Sequence, residues 1–298
     1  MTKRTLALFA AFGASAIYGF NHTIAKGLMP TYIRPYGFIL LRVLGATILF
    51  WLISFWFPKE KIDRKDIMRL LGCTLLGMVI NMNTFFKGLS LSTPINSAVL
   101  ITLCPIIIFL LSVLILKEKI TLLKVTGILL GFAGALSLIL FTQVTGQNAE
   151  NIPLGNILFL INSTSYAFYL ILAKPLTLKY HPITLMKWMF LIAFFINLPI
   201  GLSEFQEIAW LNLPTDAILK MVFVVAGTTF LAYLLNIFAL NQLNASTLGV
   251  FIYLQPLLGI LFAIFVGSDS LNILKIVAAI LVFSGVYLVT KRKTLAQD

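Results

Sequence analysis

A pattern of 35 residues occurs twice in this chain, 151 positions apart. Residues 105–139 align with residues 256–290 without a gap, and 7 of the 35 aligned pairs are identical. The pairs that punctuate the apolar sequence are Pro105 with Pro256, Glu118 with Asp269, Lys124 with Lys275, Phe132 with Phe283, and Gly134 with Gly285. The repeat predicts two structurally related halves, which we assign to residues 1–145 and 146–298.

The composition excludes a soluble globular domain. Hydrophobic residues make up 60% of the chain, charged residues 11%, and the mean hydropathy is +1.00. Runs of about 20 apolar residues recur, each long enough to cross a bilayer as a helix. We predict an all-α polytopic membrane protein with ten transmembrane helices, five in each half. The predicted spans lie near residues 5–26, 35–57, 67–87, 94–116, 121–142, 154–174, 183–202, 217–238, 245–266 and 271–290.

The orientation follows from the distribution of Lys and Arg. With the N-terminus in the cytoplasm, 15 of these residues fall in cytoplasmic segments and 5 at the outer side. Cytoplasmic loops carry the excess of positive charge, so both termini are predicted to be cytoplasmic. Since each half holds an odd number of spans, the second repeat is predicted to be inverted. We expect the protein to be integral to the plasma membrane, as a multi-pass protein of a bacterial inner membrane.

The N-terminal apolar stretch has an alternative interpretation as a cleaved signal peptide, because Ala14-Ser15-Ala16 resembles a cleavage site. Against this, Tyr18 and Lys26 recur as Tyr166 and Lys174, at a constant offset of 148 positions. A discarded segment has no reason to share a pattern with the second half, and we interpret it as the first span.

Several classes of function are disfavoured by what the spans lack. The ten acidic residues fall in predicted loops, at span ends or at the C-terminus, and a proton relay through a mid-membrane carboxylate is therefore not expected. Two histidines and two isolated cysteines give no metal-ligand cluster and no catalytic constellation. We predict no enzyme activity, no metal and no cofactor. The net charge of +12 is spread over short loops, which also argues against a nucleic-acid partner.

Arg42 is the strongest single candidate for a binding residue. It lies about eight residues into the second predicted span, where a charge is costly unless it faces the bundle interior or a wet cavity. A guanidinium there suits a carboxylate or another anion, although an arginine that caps carbonyls or reaches outward is an equal alternative. Lys187 in the seventh span is the second intramembrane cation, with a side chain that reaches the headgroups from one turn inside the cytoplasmic boundary as the alternative. His22 is a candidate proton-linked residue, with an interfacial or hydrogen-bonded histidine as the alternative.

Pro105 and Pro256 fall within the fourth and ninth spans. A proline there removes a helical hydrogen bond and frees a carbonyl group, and matching breaks in two halves indicate a transporter site. A kink needed only for packing is the alternative. Gln255 precedes the second proline. The predicted substrate-binding residues are Arg42, Pro105, Gln255, Pro256, Asn83, Asn162 and Asn236, and each asparagine alone also fits a purely interhelical hydrogen bond.

These residues resemble the EamA-type branch of the drug/metabolite transporter superfamily over essentially the whole chain. The matching strings run from Pro105 through Glu118 to Gly127, Gly131 and Gly134, and from Pro256 through Asp269 to Gly285. Asp269 departs from the glutamate that the family pattern favours. The resemblance implies ten helices around a central cavity and transport of small metabolites. It also implies a structural role for Glu118, for which we predict pairing with Lys117 or Lys119.

The sequence thus predicts a secondary transporter that moves a small polar metabolite, an amino acid or related organic anion, by alternating access and in the direction of efflux. A nucleotide-sugar or phosphate-ester exchanger on the same fold is the alternative, followed by a lipid-related scaffold or membrane enzyme. The expected partners are the metabolite and membrane lipid. The Gly127-x-x-x-Gly131 pattern leaves packing within the monomer and a homodimer as alternatives.

Overall fold

The computed structural model describes residues 2–29, 31–57, 59–92, 94–140, 151–265 and 273–291, and these residues include no β-strand. They form helical segments that we number in chain order: α1 (Lys3–Lys26), α2 (Pro35–Ile53), α3 (Arg64–Leu91), α4 (Pro94–Ile101 and Cys104–Leu114), α5 (Leu122–Leu140), α6 (Ile152–Thr177), α7 (Pro182–Gln206), α8 (Thr215–Gln242), α9 (Ala245–Val250, Phe251–Tyr253 and Leu254–Phe265) and α10 (Ile273–Thr290). Short 3₁₀ turns follow α2 at Ser54–Trp56 and precede α8 at Trp210–Asn212.

By length and composition, eight helices of the described residues are able to cross a membrane. They are α2, α3, α4, α6, α7, α8, α9 and α10. A shorter apolar helix, Leu122–Ser137, lies within α5. The protein is therefore an all-helical, multi-pass membrane protein. The predicted division at residue 145 and the position of Asp269 lie outside the described residues.

Local sequence sets the helix starts and their irregularities. Proline occupies the first turn of α2, α6 and α7, where its missing N–H costs nothing. The side chain of Asn151 accepts the Leu154 N–H at the start of α6, a conventional N-cap. A π-helical turn interrupts α3 at Leu75–Ile80 and α8 at Phe223–Leu231. The two π turns end at repeat-equivalent positions, which extends the repeat to a further pair of helices.

The packing of the helices follows the repeat. The helix α1 contacts α8 and α9, and its counterpart α6 contacts α3 and α4. The pairs α2 with α7 and α5 with α10 pack together. At one end of the bundle, a nitrogen of Arg4 donates to the Thr290 carbonyl over 2.6 Å, which brings the start of α1 beside the end of α10. We call this the Arg4 end. The opposite end, at which Arg34 bonds Glu207 over 2.9 Å, is the Arg34 end.

Glycines hold α5 and α10 in close antiparallel contact. A Cβ placed on Gly127 would lie 2.7 Å from the Gly285 carbonyl oxygen, and one on Gly134 would lie 2.9 Å from the Ala278 carbonyl oxygen. Both distances are too short for any residue but glycine. In the alignment of the two repeats, Gly127 corresponds to Ala278 and Gly134 to Gly285. The two contacts are therefore exchanged when the repeats are exchanged.

Candidate functional site

A cavity of about 120 Å³ lies between the two halves. Its lining comes from seven helices and consists of Tyr18, Asn21, Arg42, Asn81, Met82, Phe85, Phe86, Ile101, Cys104, Asn162, Ser163, Tyr166, Tyr233, Ile252 and Gln255. Tyr18 and Asn21 lie in the second half of α1, and Arg42 lies in the first half of α2. The cavity is therefore nearer to the Arg34 end than to the Arg4 end.

Arg42 brings to this cavity a positive charge that no acidic side chain of the described residues pairs with. Arg42 is 5% exposed, and its Nε donates a hydrogen bond to the Thr229 hydroxyl of α8 over 2.9 Å. The guanidinium carbon lies 5.0 Å from the Phe86 ring centre and 5.9 Å from that of Phe38, both within cation–π range. Among the described residues, Arg42 takes part in no ion pair. The bond to Thr229 uses Nε and leaves the terminal guanidinium nitrogens available as hydrogen-bond donors to an anion.

Amide and phenol groups supply the neutral polar part of the site. Asn81 and Asn162 bond each other's backbone, with side-chain nitrogens donating to the opposite carbonyls over 3.2 and 2.8 Å. Tyr233 donates its hydroxyl to the Gly77 carbonyl over 3.2 Å. The side-chain oxygen of Asn21 is buried and accepts no hydrogen bond from the described residues. These groups offer both donors and acceptors to a polar ligand.

The predicted site residues divide into two sets. Arg42, Asn162 and Gln255 line the cavity. Asn236 stands behind the lining, and its amide donates to the Tyr166 hydroxyl over 3.4 Å. Asn83 lies outside the lining, where its amide donates to the Asn197 side chain of α7 over 2.7 Å, as an interhelical tie.

The two prolines lie at the helix breaks rather than on the cavity wall. The helix α4 breaks at residues 102–103, just before Pro105, and the 3₁₀ turn Phe251–Tyr253 of α9 precedes Pro256. Each proline therefore sits in the first turn of the helical piece that follows, where a helix tolerates it best. The side chain of His22 lies outside the described residues, so its proton-linked role stays a prediction.

Two serines at equivalent positions donate hydrogen bonds to backbone carbonyls beside the two helix breaks. Ser15 of α1 donates to the Phe251 carbonyl over 2.9 Å, and Ser163 of α6 donates to the Leu100 carbonyl over 3.4 Å. The two serines occupy equivalent positions of the first helix in each half, and Leu100 and Phe251 are equivalent in the broken helices. The first helix of each half thus satisfies a carbonyl at the broken helix of the other half.

The cavity lining itself is partly related by the repeat. Repeat-equivalent positions supply four of its pairs, namely Tyr18 with Tyr166, Met82 with Tyr233, Ile101 with Ile252, and Cys104 with Gln255. Equivalent positions of the two halves therefore face one cavity. Arg42 stands outside these pairs and gives the cavity its charge.

The predicted partner of Glu118 was wrong. Its carboxylate pairs with Lys124 over 2.8 Å and accepts hydrogen bonds from the hydroxyl and the backbone N–H of Ser246, at the start of α9. Lys117 has a positive φ of 55°, a left-handed turn in the segment between α4 and α5. Glu118 therefore joins the two halves at the Arg4 end. Lys174 adds to this closure by donating to three carbonyls at the end of α8.

Lys187 does not approach the cavity lining. Its ammonium lies 5.3 Å from the ring centre of Trp51 and 5.9 Å from that of Trp188, between the end of α2 and the start of α7. Lys179 lies closer to the Arg4 end of the bundle, and hydrogen bonds to Asp63 and Asp66 raise the pKa of its exposed ammonium group.

Within the described residues, no group of three or more His, Cys, Asp or Glu side chains is arranged to hold a metal ion.

Sequence reasoning missed the tyrosines of the site. Tyr18, Tyr166 and Tyr233 contribute a large share of the wall, with the rings of Tyr18 and Tyr233 6.5 Å apart in an edge-to-face arrangement. The recurrence of Tyr18 as Tyr166 at the 148-position offset was the available signal.

Comparison with known sequences identifies two matching stretches. The sequence model of the EamA-like transporter family matches residues 5–140 and again residues 153–291. An uncharacterized transporter of Archaeoglobus fulgidus is 24% identical over 288 residues, covering 97% of this chain and 98% of the relative. The uncharacterized transporter YetK of Bacillus subtilis is 23% identical over 297 residues, covering 98% of this chain and 89% of the relative.

A comparison with solved structures supports the fold. One crystal structure superposes with a TM-score of 0.75 and covers 95% of both chains, at 15% sequence identity. At this identity the likeness extends to the fold alone. A WAT1-related protein of Arabidopsis thaliana is 31% identical over 198 residues, which cover 56% of this chain and 52% of the relative.

Proposed function

Because this chain belongs to the EamA-like transporter family, we propose that it moves a small polar metabolite bearing an anionic group across the membrane by alternating access. That it is a multi-pass membrane transporter, and not an enzyme, follows from the family and from its relatives. The cargo, the mechanism and the efflux direction are the proposal. An amino acid or related organic anion is the cargo class that the site fits best.

The observation that carries the proposal is Arg42. A buried guanidinium in a membrane is costly, and a structural arginine of this kind is normally paired with a carboxylate. In the part of the chain that the structure describes, Arg42 instead has one neutral hydrogen-bond partner, Thr229, and two aromatic neighbours. The terminal guanidinium nitrogens form a planar fork that matches the two oxygens of a carboxylate. The cargo therefore supplies the charge that the described residues do not.

The rest of the cavity suits the remainder of such a cargo. Aromatic and aliphatic side chains form most of the wall, and the amides of Asn162 and Gln255 contribute hydrogen-bonding groups. A volume of about 120 Å³ accommodates a small molecule. Among the described lining residues, Arg42 is the one cation, and a nucleotide sugar or phosphate ester carries several negative charges. The alternative cargo is accordingly disfavoured by charge.

The packing supports an inverted arrangement of ten spans. The contacts of Gly127 with Gly285 and of Gly134 with Ala278 exchange under the repeat and join antiparallel helices, as a two-fold axis within the membrane plane requires. The proximity of Arg4 and Thr290 supports an even number of crossings. With the excess of Lys and Arg in the cytoplasm, the Arg4 end faces inward, both termini are cytoplasmic and the cavity lies toward the outside of the plasma membrane.

Transport then consists of rocking one helix bundle against the other around the central site. In the conformation described, Glu118, Lys124 and Ser246 join the halves at the inner side. Release of this contact and closure at the Arg34 end would expose Arg42 and its cargo to the opposite side.

The proposal is tested by efflux from proteoliposomes loaded with amino acids, organic acids and nucleotide sugars, measured by mass spectrometry with and without a pH gradient. Selective, protein-dependent loss of amino acids or organic anions is the expected result. Selective loss of nucleotide sugars would favour the alternative cargo. Retention of every solute by folded protein would contradict transport of these classes.

A further inference from the structure

The repeat identifies residues that the present conformation hides from the cavity. Six lining residues on the aligned helices have repeat counterparts that do not line it. Asn81 and Phe86 correspond to the apolar Ala232 and Ile237. The counterparts of Asn21, Phe85, Asn162 and Ser163 are Tyr169, Asn236, Ala14 and Ser15 respectively. In an inverted repeat, the two halves exchange conformations during transport. The counterparts of the residues that line the cavity on one side of the membrane then line it on the other side.

Tyr169 is the most informative of these counterparts. It is 1% exposed, and its hydroxyl is buried with no hydrogen-bond partner among the described residues. The side-chain oxygen of Asn21, at the equivalent position of the other half, is also buried without a partner there and belongs to a residue that lines the cavity. A buried hydroxyl left unpaired costs free energy and calls for an explanation. Two such atoms at equivalent positions are explained together if each meets the cargo in one of the two conformations.

The surroundings of Tyr169 show which contact has to open. Its ring lies on Gly77 of the α3 π turn, where an added Cβ would stand 2.7 Å from a ring carbon. The hydroxyl of Tyr233 bonds the Gly77 carbonyl in the same place. Tyr169 lies one helical turn beyond Tyr166, toward the end of α6, and its ring centre is 5.7 Å from that of Tyr166. Movement of the π turn away from α6 would extend the cavity from Tyr166 to Tyr169, toward the Arg4 end.

We propose that the transport site has a second set of contact residues on its inner side, which includes Ala14, Ser15, Tyr169 and Asn236, with the Tyr169 hydroxyl as a direct hydrogen-bond partner of the cargo. This inference rests on the proposed alternating-access function. Asn21 and Asn162 then contact the cargo in the outward-facing conformation, and Tyr169 and Asn236 contact it in the inward-facing conformation. Arg42 binds the anionic group of the cargo.

Cysteine accessibility tests the inference without knowledge of the cargo. In a Cys73→Ala, Cys104→Ala background, single cysteines are placed as Ala14→Cys, Asn162→Cys and, as the matched control, Ala11→Cys. Ala11 is fully buried one turn from Ala14, and its counterpart Phe159 does not line the cavity. An impermeant charged maleimide is applied to right-side-out and to inside-out vesicles. Because alanine to cysteine is a small change, Ala14→Cys avoids the loss of packing that Tyr169→Cys brings.

We expect Asn162→Cys to react from the outer face, Ala14→Cys from the inner face, and Ala11→Cys from neither. Tyr169→Cys should then react from the same face as Ala14→Cys. Labelling of Asn162→Cys without labelling of Ala14→Cys, or labelling of both from the outer face, would overturn the inference. If Asn162→Cys is labelled from the outer face and Ala14→Cys from the inner face but no cargo moves, the result counts against the proposed transport function alone. If the protein transports cargo but Ala14→Cys is never labelled, the result counts against this inference alone.

Discussion

Arg42 donates its Nε hydrogen to the hydroxyl of Thr229, 2.9 Å away, and so joins α2 of the first half to α8 of the second. Thr229 in turn donates to the Val224 carbonyl over 2.8 Å inside the α8 π turn. The hydroxyl is thus held in place by the irregular backbone, and it holds the guanidinium beside the rings of Phe38 and Phe86. The orientation of the charge is built into the junction of the halves.

The role of Thr229 as a positioning residue is testable. Replacement by valine removes the hydroxyl at nearly constant volume, leaving Arg42 in place but less constrained. We expect Thr229→Val to raise the KM for an anionic cargo about 3- to 10-fold, in line with the roughly 0.5–1.5 kcal/mol of a typical hydrogen bond, because the lost bond acts on the cargo only through the orientation of Arg42. The effect on kcat should be smaller. Thr229→Ser, which keeps the hydroxyl, should restore the KM. Equal defects in both variants would mean that Thr229 acts through packing and not through its hydrogen bond.

Cys104 provides a native probe of the cavity. It lines the cavity, whereas Cys73 is buried elsewhere, in α3. In a Cys73→Ala variant, a small membrane-permeant thiol reagent should modify Cys104 and inhibit transport, and bound cargo should slow the modification. The corresponding Cys104→Ala variant, which retains Cys73, should be insensitive. Modification at a rate that saturating cargo leaves unchanged would show that Cys104 does not face the cargo.

The Glu118 contact is expected to stabilise the closed Arg4 end. Glu118→Gln leaves the ammonium of Lys124 without its carboxylate in a site where both side chains are largely buried, a change that typically costs about 3–5 kcal/mol when a buried pair is broken. The Tm in detergent should fall by several degrees. Lys119→Gln, an exposed change in the same loop, serves as the control. If both variants melt with the wild type, the ion pair contributes no stability.

Close packing at Gly127 sets a limit on side-chain size. Gly127→Val places methyl groups against the Gly285 carbonyl and the Val289 side chain. Even a Cβ at this position would lie only 2.7 Å from the nearest atom of each. Overpacking of this kind costs about 1–3 kcal/mol or more, and the Tm should fall. Gly13→Ala is the control, because the nearest atom to its new Cβ is 3.6 Å away. A Gly127→Val variant as stable as the control would contradict the antiparallel contact of α5 with α10.

Sequence alone predicted the family, the helical class and the approximate helix bounds, because a membrane-spanning helix needs a long apolar run that is visible without tertiary information. Arg42 was found for a related reason, since a charge within such a run is conspicuous. Gln255 was selected because it precedes Pro256, and Asn162 because it is a polar residue within the sixth predicted span. The ten-span count and the orientation stay predictions of the repeat and of the Lys and Arg distribution.

Other features depend on three-dimensional contacts that leave little trace in the sequence. Glu118 binds Lys124, more than a helical turn further along the chain, because the backbone turns at Lys117, and closeness in sequence favoured the wrong lysines. The tyrosines of the cavity resemble the aromatic residues found throughout membrane spans. Asn83 pairs with Asn197, and no sequence rule separates such a tie from a binding residue. The sequence likewise did not predict the π turns of α3 and α8.

The most direct test of the central claim compares wild type with Arg42→Gln in proteoliposome transport of an anionic cargo, with Lys187→Gln as a control for removal of a cation outside the cavity. Loss of charge-assisted hydrogen bonds worth about 1.5–3 kcal/mol predicts that Arg42→Gln raises the KM about 10- to 100-fold, that Arg42→Lys is intermediate, and that Lys187→Gln resembles wild type. An Arg42→Gln protein that transports the same anion with unchanged KM would contradict the account.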